Sequence, residues 1–211
     1  YAVPEKTAQQ SYDFIEHYEI IFMAVFVILV ILLVLYIVHE NYRRDQELMK
    51  YAQTDALTGL YNKETTKLRT DEILSTDKDM IHAFLILDMD CFKQINDGYG
   101  HAVGDIVLQK FGQLLRDIFR EDDIVGRIGG DEFVVVMKNI KMKEMAIAKA
   151  EELLTKTQQY EIKELNGSAI SISIGIAMAP EDGECYMDLY KRADQALYQA
   201  KRSGKARVCG Y

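Results

Sequence analysis

The chain of 211 residues carries 33 acidic against 25 basic side chains, a formal net charge of −8, with 49% hydrophobic and 10% aromatic residues. That length suits one globular domain plus an additional segment, and the acidic balance leaves no basic face to neutralise polymeric DNA or RNA. A small anionic ligand carried with its own divalent cation stays compatible, because the metal reverses the local electrostatics.

Residues 1–19 open on Tyr1 rather than Met, as expected of the tail of a longer extracytoplasmic region. From Ile20 to Val38 runs "IIFMAVFVILVILLVLYIV", free of charge and proline. At about 1.5 Å per residue a helix over this run spans roughly the ~30 Å hydrocarbon core, so 20–38 is expected to cross a membrane once. A secretory signal does not fit, since the preceding stretch "SYDFIEHYE" is acidic and no basic start precedes the apolar run. Arg43, Arg44 and Lys50 follow it, which puts the remainder in the cytoplasm.

Residues 39–54 form a polar connector without Gly or Pro. Val38, Tyr42, Met49 and Ala52 fall on a heptad-like stripe that Asp45 interrupts. Two heptads are too few to define a coiled coil, so a signalling helix and a solvated connector both stand.

The body, 55–211, alternates strand and helix patterns. "HAFLILDMD" (82–90) reads as a buried strand, "VGDIVLQKFGQLLRDIF" (103–119) as a helix, and "DIVG" and "VVVM" as two strands around "RIGGDEF" (127–133). A helix over 142–160, a strand over 169–179, a helix over 188–204 and a last strand at "ARVCG" complete the order. The interleaving predicts a layered α/β sandwich, an α+β sheet with one face covered by flanking helices. Cys91, Cys185 and Cys209 are odd in number and lack metal-ligand spacing, as free thiols in a reducing compartment do.

Gly129-Gly130 between strand patterns predicts a two-residue hairpin whose primed turn uses positive φ, and bare glycines let a ligand approach the backbone. Asp131 and Glu132 then sit at the tip, on opposite faces unless the hairpin bends. Taken alone, they are equally well read as polar residues of a solvated turn. Asp88 and Asp90 end the strand "FLILDMD". If the hairpin pairs beside that strand, three or four carboxylates converge. Such like charges raise one another's pKa and are tolerated chiefly with divalent cations, Mg²⁺ favouring one or two carboxylates plus phosphate oxygens.

"DALTGLYN" (55–62), "LDMDCFKQINDGYGHAVGD" (87–105), "RIGGDEF", "ISISIGIA" and "ADQALYQAKRSGK" (193–205) together resemble the GGDEF domain, the diguanylate cyclase family, over nearly all of 55–211. The resemblance implies a sheet similar to the palm of nucleotide cyclases and polymerases. It also implies condensation of two GTP, one per subunit of a homodimer, into cyclic di-GMP plus pyrophosphate by two-metal phosphoryl transfer. Mg²⁺ (or Mn²⁺) is then held by Asp88, the backbone carbonyl of Met89, Asp131 and Glu132, with Asp131 or Glu132 as catalytic base. Cys91, Phe92 and Lys93, with Lys201 and Lys205, match the triphosphate contacts; Lys205 replaces a common arginine and loses its bidentate fork.

Asn96 and Asp105 match the guanine-reading positions, with His101 in the same loop. Asp105 is equally suited to the start of a helix, where the dipole favours a carboxylate. Arg120 and Asp123 form an R-x-x-D at the placement of the family's inhibitory cyclic di-GMP site, though such a pattern elsewhere is often a surface ion pair. The alternatives are an inactive module that senses GTP or cyclic di-GMP for a partner, and a cyclase making a mixed adenine-guanine product, against which Asp105 argues.

Overall fold

The computed structural model describes residues 18, 22–23, 25–43, 53–165, 167 and 169–211, in two units that divide after Lys50. In the first unit, α1 (Val25–Arg43) is a helix long and apolar enough to cross a membrane by length and composition. Its side chains from Val25 to Val38 are exposed, an apolar surface that water does not favour. The expected extracytoplasmic tail, Tyr18 apart, and the stripe positions Met49 and Ala52 lie outside the described residues.

The second unit contains α2 (Lys63–Thr76), β1 (His82–Met89), α3 (Phe92–Tyr99), α4 (His101–Ile118), β2 (Ile124–Arg127) and β3 (Glu132–Met137). After these come α5 (Lys143–Gln159), a single 3₁₀ turn, β4 (Ile172–Ala179), α6 (Tyr186–Arg202) and β5 (Val208–Gly210). The strands form one sheet in the order β2-β3-β1-β4-β5. All neighbours are antiparallel except β4 and β5, which run parallel.

Every residue of β1 and β4 is buried, which explains their near-continuous apolar sequences: both faces of the sheet are covered, not one. Ala83, Leu85 and Leu87 share a core with Val107, Phe111 and Leu115 of α4 and Ala150 and Leu153 of α5. Phe84 and Ile86 pack on the other side with Leu74 of α2 and Leu189, Ala193 and Leu197 of α6. A fully buried Leu, Ile or Phe of this kind contributes roughly 1.5–3 kcal/mol.

The expected helices and strands are present, with shifted ends. The strand expected from Ala169 starts at Ile172, and the last helix starts two residues earlier than expected, at Tyr186. Two helices carry no readable signal. In α2 the buried positions are Thr65, Thr66, Thr70 and Leu74, so its inward face is hydroxyl-bearing rather than apolar; it starts where the Asn62 side chain accepts from the Thr65 N–H at 3.0 Å. Helix α3 has eight residues and buries none of them. It starts after Cys91, held at φ 59°, and ends at Gly100, φ 85°, where the chain turns into α4.

Candidate active site

The site forms where β1 and β3 end side by side. Asp88 stands opposite Glu132 in the register, and strand alternation puts both on the face that α6 covers, with Phe84, Ile86, Val134 and Val136. From α6, Lys201 reaches across, its Nζ 2.7 Å from Asp88 Oδ2. Burial raises the Asp88 carboxyl above the usual range; Lys201 lowers it, and the charges of Asp131 and Asp90 raise it further. Glu132 is raised likewise, by burial, then by Asp88 and Asp131, against a lowering by Lys201. Asp131 immediately precedes β3, and its charge reaches both acids, so the chain bends enough for the adjacent pair to serve one place.

The bend is not the predicted turn. The hairpin loop runs 128–131, closed by the Ile128 N–H donating to the Glu132 carbonyl at 3.0 Å, and neither Gly129 nor Gly130 adopts a left-handed φ. Gly129 is needed for space: a Cβ there would lie 2.9 Å from Glu132 Oε2, whereas Gly130 faces nothing within 4 Å. Arg127 holds the loop from beneath, donating to the Gly130 carbonyl at 2.8 and 3.1 Å and to Asp55 at 3.0 Å. Asp55 also accepts from the Thr58 N–H and hydroxyl at 2.9 and 2.7 Å. Burial acts to raise Asp55, but these donors outweigh it and hold the carboxyl below its ordinary value. The "DALTGLYN" stretch is thus the latch of the acidic hairpin, a role its composition does not announce.

Asp90 departs from expectation. It leaves the converging carboxylates and turns into the sheet edge, accepting from Ser171 Oγ at 2.6 Å, Ser173 Oγ at 2.8 Å and the Ala206 N–H at 3.1 Å. It ties β1 to β4 and to the bend before β5.

Next to it, Lys205 Nζ lies 3.2 Å from Cys91 Sγ, which brings the predicted cation of the C-terminal loop to the start of α3. No side chain caps α3 there, and with the Gln94 N–H turned back to the Cys91 carbonyl at 2.8 Å the Phe92 and Lys93 N–H groups are the ones open to an anion. Asn96 is packed against Gly104, where a Cβ would lie 2.0 Å from its Oδ1; this seats Asn96 beside the residue that precedes Asp105. Lys93, His101 and Asp105 are exposed, and no hydrogen bond or ion pair among the described residues fixes Lys93 or His101.

Arg120 and Asp123 lie apart from this group and do not form an ion pair. Asp123 is buried and accepts from the backbone N–H groups of Arg120 and Lys138, each at 3.0 Å, which shapes the turn before β2. Arg120 lines a separate cavity of about 360 Å³ with Tyr61 and Arg116. A larger cleft of about 740 Å³ opens between Glu132 and the outer face of α6, including Lys201.

Among the described residues no three acidic, His or Cys side chains converge closely enough to cage a metal ion alone. The donor set still fits Mg²⁺. Two facing carboxylates with raised pKa, one already drawing in an ammonium, match an ion that takes one or two protein carboxylates and completes its shell with water and phosphate oxygens.

A two-faced α/β sandwich with an acidic cleft at the ends of two adjoining strands is the class these observations define. The family model described as "Diguanylate cyclase, GGDEF domain" matches residues 52–207, and the chain belongs to that family. It is 37% identical over 168 residues to the diguanylate cyclase DgcS of Shewanella oneidensis, covering 78% of this chain and 55% of that protein. It is 35% identical over 182 residues to the biofilm architecture maintenance protein MbaA of Vibrio cholerae, covering 82% of this chain and 23% of MbaA. The chain therefore spans about a quarter to about half of these relatives. The coiled coil and GGDEF domain of DgcB from Caulobacter crescentus, solved in complex with c-di-GMP, superposes with a TM-score of 0.75 at 25% identity, over 82% of this chain and 93% of that one.

Proposed function

We propose that this chain is a membrane-anchored diguanylate cyclase that joins two GTP molecules into cyclic di-GMP. Each 3′-oxygen bonds to the α-phosphorus of the other nucleotide, each α–β phosphoanhydride breaks, two pyrophosphates leave and two hydroxyl protons are lost. The observation that carries this reading is the pairing of Asp88 with Glu132 across β1 and β3, with Asp131 beside them and Lys201 on Asp88.

Asp88, the Met89 carbonyl, Asp131 and Glu132 are the groups that would hold Mg²⁺ (or Mn²⁺). When bound, such ions neutralise charge on the triphosphate and the departing pyrophosphate. The chain's own groups do the rest. The uncapped start of α3 at Cys91, Phe92 and Lys93, with Lys201 and Lys205, receives the triphosphate and aligns it. Asn96 and Asp105 accept from the guanine N1 and N2 donors, which adenine does not match, so the wrong base leaves these acceptors unpaired. His101 lies in the same loop. Glu132 or Asp131 takes the 3′-hydroxyl proton.

Each chain offers one such half-site, so the working unit is a homodimer. The helix α1 crosses the membrane and leaves 55–211 in the cytoplasm, and the R-x-x-D cavity at Arg120 binds cyclic di-GMP as an inhibitor. Pyrophosphate release measured against protein concentration tests the scheme. The rate per chain rises with concentration and then levels, GTP is used and ATP is not; a rate per chain independent of concentration from the lowest dilution would contradict a two-chain site.

A further inference from the structure

At the end of the sheet opposite the acidic cleft, a cavity of about 270 Å³ opens between the end of α2, the start of β1 and the turn that follows β4. His82 lines it and begins β1, whereas Asp88 lies near the far end of the same strand, about 20 Å away. The cavity is therefore separate from every residue assigned above. Its walls are held in place. The Asp77 N–H donates to the Ile73 carbonyl at 2.8 Å and the Met80 N–H to the Asp77 carbonyl at 3.0 Å. Asp182 accepts from the Met178 N–H at 2.6 Å and fixes the turn before α6. His82 is 1% exposed, with Nε2 3.4 Å from the Asp77 carbonyl and Nδ1 accepting from the Asn139 N–H at 3.5 Å.

The charges around the cavity are unbalanced in one direction. Asp77 comes from the end of α2 and Glu184 from the turn before α6, and neither carboxylate has an ion-pair or hydrogen-bond partner among the described residues. Lys78 lines the cavity as well and pairs with neither, so the rim keeps one negative charge in excess. Helix α2 ends here with no basic residue in its last turn, and a helix C-terminus favours a cation. The start of α6, which would favour an anion, is already served: Asp71 accepts from the Tyr186 N–H at 2.7 Å, and Asp188 lies in the first turn. Leu74, Met80 and Pro180 add an apolar wall. A preformed hollow with apolar walls and a few polar groups is the usual form of a small-molecule site.

We propose that this cavity is a second binding site, for a small organic cation: an ammonium between Asp77 and Glu184, with a compact apolar body against Leu74, Met80 and Pro180. A volume of about 270 Å³ equals roughly nine waters at about 30 Å³ each, which suits a ligand of about that many non-hydrogen atoms. A bare metal ion does not suit it, since among the described residues no three ligating side chains converge and the apolar wall would face nothing. The site does not depend on the cyclase reading.

The test is a titration of the full chain in detergent, labelled with ¹³C at the methionine methyl groups, with 2-phenylethylammonium as the probe. The Met80 signal, identified by its loss in Met80→Leu, shifts and saturates with a dissociation constant of about 1 mM or tighter. The signal of Met23, in the apolar segment, reports uptake into detergent and does not follow it. 3-Phenylpropanoate, the same body with a carboxylate, and ammonium chloride, the charge without the body, each bind at least about tenfold more weakly. Asp77→Asn combined with Glu184→Gln weakens the probe about tenfold or more. Lys78→Gln removes the competing ammonium and tightens binding about twofold or more, a gain that a damaged fold would not produce. A Met80 signal that does not saturate or that moves with Met23, equal binding of the propanoate, or affinities unchanged in these variants would overturn the proposal.

Discussion

At the scale of single residues, the two strand-end acids that look alike in "LDMD" have separate work. Asp88 faces α6 and pairs with its Lys201, while Asp90 is a buried acceptor of three hydrogen bonds. Asp90→Ala strands two serine hydroxyls and an N–H, so it is expected to cost about 2–4 kcal/mol, read by urea unfolding. A cost below about half a kcal/mol, the range of ordinary surface changes, would contradict the assignment.

Glu132 behaves in the opposite sense. Its folded pKa is raised, first by burial and then by Asp88 and Asp131. Folding is therefore not penalised below the unfolded carboxylate range, and stability is given up as pH rises through the raised value. Without divalent cation, Glu132→Gln is expected to melt about 1–3 °C higher than the parent at pH 7 and no higher at pH 3.5. Lower melting at pH 7 would show that the glutamate stabilises the fold.

The sequence made Asp88, Asp131 and Glu132 legible because acids that interrupt or end apolar strands stand out against their surroundings. It did not separate Asp90 from Asp88, since the spacing of two says nothing about a chain that leaves the strand at Met89. It was silent too on Arg127, whose partners Asp55 and Gly130 meet only after folding.

At the scale of elements, strands and amphipathic helices were readable wherever burial falls on apolar side chains. Helix α2 was not, because three of its four inward residues are threonines, and the hairpin loop departs from a primed turn because Gly129 is required for space beside Glu132 rather than for a left-handed φ.

Space also explains how α6 brings Lys201 to the site. A Cβ at Gly175 of β4 would lie 2.1 Å from the Ala193 carbonyl oxygen and 2.4 Å from the Leu197 nitrogen, both backbone atoms of α6. Backbone cannot rotate away as a side chain can. Gly175→Ala is therefore expected to cost about 3 kcal/mol or more and to lower GTP turnover by lifting α6, measured by thermal unfolding and by rate. A neutral effect would mean that the sheet and helix are not in contact there.

At the scale of the whole molecule, an apolar helix, a connector and a GGDEF body follow in order, and regulation is expected to act through how two bodies meet. Product is expected to act from a different place. If cyclic di-GMP binds at the Arg120 cavity, Arg120→Ala raises the concentration of product needed for half-inhibition about tenfold or more through lost charge-assisted bonds, with the initial rate little changed. Unchanged inhibition would remove that site from the account.

The chemistry of the acidic hairpin is read most directly from its products. The full chain in detergent is incubated with GTP and Mg²⁺ and its products are read by mass spectrometry, beside a chain carrying Asp131→Ala and Glu132→Ala. Cyclic di-GMP and pyrophosphate are expected from the parent and neither from the variant. GTP left intact by a folded, nucleotide-binding parent would contradict it and make the domain a sensor.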